Sequence, residues 1–244
     1  MRCVDGCHLS RPTYTFGVIR NMIFDWSGTL VDDLPAVLDA TNYVLTQAQR
    51  PQMTLEEFRS EFCLPFTLFY DKHLPHIPID QLEEWFHSRF AQVQASVCAL
   101  PHAGEFLMFC QKQNLRTFLL SAVSPQYYGA QAGVTGFGPY IGTLYLEVRD
   151  KRSKIGEILC EHRLMREETL FIGDMQHDIE TAKHGGIHSC AVLTGYNTMD
   201  QLHAARPDVI VEHLNELQEM LSENGMCLPS RRAPDPGPGV LAGE

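Results

Sequence analysis

The sequence predicts an α/β protein, a parallel sheet flanked by helices with a helical cap inserted after the first strand. Three observations predict it. Short apolar runs recur along the chain, and two of them end on an acid. Helical periodicity fills the stretches between these runs, as expected of parallel strands joined by crossover helices. One stretch, residues 34–100, is too long to be a loop in a compact domain.

The first predicted strand is residues 18–25, VIRNMIFD, ending on Asp25. Residues 1–17 before it carry little apolar pattern and are expected to form a disordered arm. Within 34–100, Leu34, Val37, Leu38, Thr41, Val44 and Leu45 fall on one helical face, as do Leu82, Trp85, Phe86 and Phe90. Pro65, Pro75 and Pro78 break the middle of this segment. The series Phe58, Phe62, Phe66, Phe69 and Tyr70 has helix-like spacing and is expected to form the core of the cap, with part of it facing the site. Further strands are predicted at 116–123, 168–174, 189–194 and 208–211. Helices are predicted at about 103–113, 125–132, 152–163, 176–185, 198–205 and 213–223. The core domain is therefore 18–33 with 101–225. From Leu228 the chain reads LPSRRAPDPGPGVLAGE, and 226–244 is expected to be a disordered tail.

The chain has 244 residues, 44% hydrophobic and 20% charged, enough for a core that needs no disulfide or structural metal. Its formal net charge is −11. That excludes non-specific attraction to nucleic acid or to an anionic membrane surface, since both need positive charge. No stretch approaches the ~20 apolar residues that span a bilayer. Eight cysteines are scattered without a CxxC pair, and no apolar leader is visible, so a reducing cytoplasm is the expected location. Cys98, Cys110, Cys160 and Cys190 lie in apolar-periodic stretches and are expected in the core. Cys3, Cys7 and His8 lack the partner pair of a zinc site. His184 and His188 flank Gly185-Gly186, which reads as a helix C-cap rather than a phosphate loop.

In open parallel sheets a ligand sits at the carboxyl ends of the strands. Asp25, Ser121 and Asp174 all fall at such ends. Asp25 opens the run Asp25-Trp26-Ser27-Gly28-Thr29-Leu30-Val31-Asp32, with Gly28 available for a tight turn. Trp26 points the opposite way from Asp25 and is expected to pack. Asp174 and Asp178 follow a buried strand and open a helix. Helix capping explains acids there, but acids at two strand tips also suit a hard cation, Mg²⁺, held by carboxylate oxygens. Ser121 offers a hydroxyl and backbone N–H groups, and Lys151 or Lys154 a positive charge at a helix start. This set suits phosphoryl transfer: metal and lysine offset charge on the phosphoryl oxygens while one carboxylate attacks.

The order DxSGT, strand-end Ser, Lys and GDxxxD resembles the haloacid dehalogenase superfamily from about Asn21 to Val211. Its FDxxGTLVD and GDxxHDIETAKxGGI runs are similar to the phosphoglycolate-phosphatase-like subgroup. The resemblance implies a Rossmannoid core with a helical C1 cap and an Mg²⁺-dependent hydrolase of small phosphorylated metabolites. It implies Asp25 as the nucleophile of an aspartyl-phosphate intermediate. It implies Ser121, Ala122 and the lysine as phosphate binders. Asp25, Asp174 and the Ser27 backbone carbonyl would bind Mg²⁺, supported by Asp178. Lys151, 23 residues before Asp174, has the family's spacing, whereas Lys154 starts the apolar periodicity KIGEIL.

One position departs from the pattern. Phosphatases of the superfamily carry a second Asp two residues after the nucleophile, and here that residue is Ser27. A serine hydroxyl is a poor general acid, and general acid–base catalysis is worth ~10²–10⁴-fold. Three readings follow. The proton is supplied elsewhere, with Asp32, Asp33 and His177 nearby in sequence. Or the chain resembles phosphonoacetaldehyde hydrolase, which cleaves a C–P bond through a cap lysine, here Lys72. Or it is a catalytically impaired binding or regulatory protein on the same fold. The dehalogenase branch also lacks the second Asp but needs no metal, which the GDxxxD acids fit poorly.

Overall fold

The computed structural model describes residues 17–229. The arm predicted at 1–17, with Cys3, Cys7 and His8, lies outside the described residues except for Gly17, as does the tail from residue 230. The first residues assigned to that tail are packed. The Ile19 N–H donates to Met226 O at 2.8 Å, and Leu228 is buried in the main core. A Pro- and Gly-rich composition does not reveal that one leucine at its edge fills a core site.

In chain order the elements begin with β1 (Asn21–Phe24), β2 (Val31–Asp32), α1 (Leu34–Gln47), α2 (Leu55–Glu61), α3 (Phe66–His73) and α4 (Ile79–Val93). Next come β3 (Cys98–Ala99), α5 (Ala103–Lys112), β4 (Arg116–Leu120), α6 (Pro125–Thr135), β5 (Thr143–Tyr145) and α7 (Lys151–Glu161). The chain continues through β6 (Thr169–Gly173), α8 (Gln176–Gly185), β7 (His188–Val192), α9 (Met199–Ala205), β8 (Val209–Val211) and α10 (Leu214–Glu223). Among the described residues, no helix is long and apolar enough to cross a membrane.

Six strands form one sheet in the order β5-β4-β1-β6-β7-β8, every pair parallel. All five predicted strands are present, each shorter or shifted by a few residues. The sequence missed β5, three residues beyond a Gly-rich turn with Leu144 exposed between two half-buried neighbours, too short to show a period. Alternation along β1 explains the layers. Met22 and Phe24 face α5 and α10, where Phe24 meets Phe106 edge-on at 6.0 Å between centroids. Ile23 faces the other way, with Phe118 and Phe171, onto Ile155, Ile158 and Leu159 of α7 and Ala182 of α8. The central strand is thus buried on both faces, which its unbroken apolar run required.

The helix predicted at 125–132 runs on to Thr135. Ser124 caps its start and Gly136, at φ +72°, ends it, so Gly129 and Gly133 inside do not. Cys110 and Cys190 are buried as expected, but Cys98 and Cys160 are exposed. Cys160 sits on the outer side of α7, and both residues of the short β3, Cys98 and Ala99, face outward.

Residues 34–93 hold α1 to α4. Pro65 and Pro78 stand immediately before α3 and α4, so the prolines start helices here. Phe58 and Phe69 are fully buried at the centre of this segment with Val44, Leu45 and Leu82. Entry and exit meet in the antiparallel pair β2–β3, with Val31 opposite Ala99 and Asp32 opposite Cys98.

Candidate active site

Asp25 stands just past β1, where its N–H still donates to Ile172 O at 2.9 Å. Its Oδ1 accepts the Trp26 N–H at 2.7 Å, and its Oδ2 lies 2.7 Å from the Lys151 ammonium. The same ammonium lies 2.7 Å from Asp178 Oδ1. Asp178 Oδ2 accepts the Met175 N–H at 3.0 Å and so also caps the start of α8. Asp174, just past β6, accepts the Thr29 hydroxyl on Oδ1 at 3.0 Å and the Tyr196 N–H on Oδ2 at 2.7 Å. Gly28 (φ +69°) and Gly195 allow this approach, because a Cβ on either would collide with the Asp174 carboxylate. Lys151, not Lys154, is the lysine brought to the acids. Lys154 pairs with Glu157 on its own helix at 2.6 Å.

Asp25, Asp174 and Asp178 are buried, and each offers an oxygen within 4.8 Å of the others. Three carboxylates against one ammonium leave two negative charges out of water. Burial raises the Asp174 carboxyl well above its usual range, and the Asp178 and Asp25 charges add to this. Burial also raises Asp25, against the lowering pull of Lys151. Burial alone would lower the Lys151 ammonium, but Asp178 and Asp25 hold it above its ordinary value. A surplus of buried carboxylate oxygens is what a hard divalent cation offsets, so this donor set fits Mg²⁺.

Ser121 is buried just past β4. Its N–H is committed to Tyr145 O at 3.0 Å, so it offers its hydroxyl rather than its own N–H. Trp26 is fully buried, as expected: its Nε1 donates to Gln131 Oε1 at 2.6 Å, and its ring lies against Tyr128 and Phe137.

Ser27 does not stand alone. Its hydroxyl donates to Asp33 Oδ2 at 2.6 Å, and the Tyr196 hydroxyl donates to Asp33 Oδ1 at 2.9 Å. Burial pushes the Asp33 carboxyl up to about 7, although both hydroxyl bonds oppose the rise. Sequence reasoning weighed Asp33 only as a neighbour and missed Tyr196 altogether. The available signal was position: Tyr196 follows the carboxyl end of β7, where site residues of such sheets gather.

His177 is buried, and its Nε2 accepts the Lys151 N–H at 3.1 Å, which orients the start of α7. It therefore holds the lysine and is not placed as a proton donor. Burial first, then the Lys151 and Arg152 charges, lower its imidazole to about 4. The unfolded chain takes up this proton near pH 6.5, the folded chain only near 4. Stability is thus present above pH 6.5 and lost as pH falls toward 4, by on the order of 3 kcal/mol. His177→Gln should escape most of that loss in urea melts at pH 7 and 4.5. Parallel losses in both proteins would show that His177 charges freely in the fold.

A cavity of about 510 Å³ opens above Asp25, reaching Ser27, Asp33, Ser121, Ala122 and Lys151. The insertion supplies Phe62, Phe66 and Tyr70 to its wall, so the aromatic series divides between wall and core. Arg59 Nη2 donates to Gly195 O at 2.5 Å and joins the insertion to the core beside the site. Lys72 does not line the cavity; its ammonium pairs with Glu61 on an exposed surface. His184 is exposed, and Gly186, at φ +65°, ends α8 as a C-cap.

The family model for haloacid dehalogenase-like hydrolases matches residues 22–192, well over half the chain. The chain belongs to the haloacid dehalogenase-like hydrolases. A phosphoglycolate phosphatase of Pseudomonas savastanoi pv. phaseolicola is 22% identical over 210 residues, covering 80% of this chain and 77% of its own. Two solved structures share the fold. A haloacid dehalogenase-like family hydrolase from Streptococcus pneumoniae aligns with a TM-score of 0.72 at 20% identity, covering 83% of this chain and 98% of its own. A predicted phosphatase from Clostridium acetobutylicum aligns with a TM-score of 0.76 at 14% identity, covering 85% of this chain and all of its own (100%). This haloacid dehalogenase-like hydrolase therefore gathers its buried acids and lysine beyond the carboxyl ends of β1 and β6, on a fold it shares with those structures.

Proposed function

We propose that this hydrolase is an Mg²⁺-dependent phosphatase of small phosphorylated metabolites in which Asp25 becomes phosphorylated. The observation that carries the reading is the buried Asp25–Lys151–Asp178 chain, with both ion pairs at 2.7 Å, at the floor of a cavity. Relatives named phosphoglycolate phosphatase support it. The residues 34–100 then act as the cap that encloses the substrate.

An Asp25 carboxylate oxygen attacks phosphorus, and the bond to the leaving oxygen breaks. Lys151 moves from a pure ion pair to sharing its protons with phosphoryl oxygens, and the Ser121 hydroxyl donates to another. Water then cleaves the acyl-phosphate and restores the carboxylate. Asp25, Asp174 and the Ser27 carbonyl would hold Mg²⁺, with Asp178 supporting them through Lys151. When bound, the ion supplies positive charge beside the phosphoryl oxygens. C–P cleavage through Lys72 loses its support, because that lysine is paired away from the cavity. A binding-only role has no need of a buried carboxylate–ammonium–carboxylate chain.

Phosphate release from a panel of phosphomonoesters tests this. Release should require Mg²⁺ and fall to background with EDTA. Equal release with EDTA, or none from folded protein shown to bind Mg²⁺, overturns the reading.

A further inference from the structure

The cavity wall above Asp25 is largely apolar. Val37, Phe62, Leu64, Phe66, Phe86 and Phe90 line it, and α4 supplies the last two. Two cationic side chains also line it, and both already have partners. Lys151 is held between Asp25 and Asp178. Arg149 pairs with Glu83 at 2.7 Å and lies over the Phe66 ring, 5.3 Å from its centroid. The other charged lining residues are acids: Asp25, Asp33, Glu83 and Glu147. One buried polar atom of the lining has no partner, the neutral donor Gln131 Nε2. A second anionic group beside the phosphate, such as a carboxylate, would face these acids and would have to compete with Glu83 for Arg149.

An independent observation concerns the leaving group. The family's proton donor is replaced by Ser27, whose hydroxyl proton is spent on Asp33. Asp33 accepts on both oxygens, one from Ser27 and one from Tyr196. In this arrangement both hydroxyl protons are directed at Asp33 rather than at a departing oxygen. An alkoxide, with a conjugate acid near pKa ~16 like water, leaves poorly without one. A phenolate, with a conjugate acid near pKa ~10, leaves far more readily.

We infer that the substrates are phosphate monoesters of phenols carried on an uncharged, flat apolar body, in preference to small anionic alkyl phosphates such as phosphoglycolate. The inference rests on Asp25 being the phosphorylated residue. The aryl ring lies among the aromatic walls, where flat rings stack or meet edge-on. An Asp25 oxygen forms the bond to phosphorus, and the electron pair of the P–O(aryl) bond leaves on the phenolate. The phenolate takes its proton from water. A second water then cleaves the acyl-phosphate, so an aryl phosphate and one net water yield a phenol and inorganic phosphate.

The test compares kcat/KM for 1-naphthyl phosphate, cyclohexylmethyl phosphate and phosphoglycolate with Mg²⁺. It also measures binding of 1-naphthylphosphonate and phosphonoacetate to the Asp25→Asn protein by calorimetry. We expect 1-naphthyl phosphate to exceed both alkyl esters by roughly 100-fold or more, the scale of general acid catalysis it forgoes. We expect the naphthyl phosphonate to bind at least about 10-fold tighter than phosphonoacetate, the scale of an apolar pocket's discrimination. Phe86→Ala should raise KM for 1-naphthyl phosphate by a larger factor than KM for phosphoglycolate. Ser27→Asp should narrow the gap between aryl and cyclohexylmethyl esters. Asp25-dependent turnover of phosphoglycolate as fast as the aryl ester overturns the inference and leaves the phosphatase reading standing. Turnover that survives in Asp25→Asn overturns the phosphatase reading, while the binding preference still reports on the pocket alone.

Discussion

Asp25→Asn should cost roughly 10⁴-fold or more in turnover while leaving the protein as stable as before, or more so. The rate loss follows from removing the group that forms the covalent bond to phosphorus; a neutral amide does not attack. The stability follows from charge. Asp25 is one of three buried carboxylates facing a single ammonium, and its carboxyl is raised by burial. A raised acid costs the native state more as pH climbs through its folded value, so the wild type in EDTA should weaken from acid toward neutral pH. Asn at this position removes that slope and leaves Lys151 paired with Asp178. Single-turnover phosphate release and thermal melts at pH 5 and 8 check both halves. A rate within tenfold of wild type would remove Asp25 from the chemistry.

Lys151→Met should destabilise the metal-free protein by about 3–5 kcal/mol, because the acids lose their one buried counter-charge. For a chain of this size that lowers Tm by about 6–20 °C. The loss should be larger at pH 8 than at pH 5, where the acids take up protons instead. Mg²⁺ should raise Tm of the wild type by about 5–10 °C at a concentration 100-fold above its Kd. It should raise the variant at least as much, since more charge is left to offset. A variant that melts with the wild type in EDTA would mean that the acids are already protonated and that the site carries no surplus charge.

The sequence made the sheet legible because its strands are buried on both faces. Asn21–Phe24 and Thr169–Gly173 show as apolar runs, and the acid after each run marks the strand tip. Three of the four motif regions were legible for the same reason, since Asp25, Ser121 and Asp174 sit where a run ends, whereas Lys151 opens α7 beyond the unread β5 and was marked only by the spacing of the family it resembles. What was not legible depends on partners distant in sequence. Asp33 looks like a turn residue until Ser27 and Tyr196 point their hydroxyls at it. His177 looks like a proton carrier until its Nε2 is seen to hold the Lys151 N–H. The division of the aromatic series, Phe58 and Phe69 inward and Phe62 and Phe66 to the cavity, rests on how the two short helices α2 and α3 pack. Spacing gives the face of a helix, not what lies against it.

The pairing of Val31–Asp32 with Cys98–Ala99 puts the two ends of the long insertion side by side. The chain leaves the core and returns through the same gap, so the closure entropy of that excursion is met by two strands rather than by the helices beyond them. These two strands fix where the insertion leaves and re-enters the core, and Ala36, Ala40 and Phe90 anchor it there by packing into the main core. In the proposed phosphatase, changes between Asp32 and Cys98 alter the wall that meets the substrate while Asp25, Lys151 and Asp174 keep their places, so the two parts can diverge at different rates within one gene.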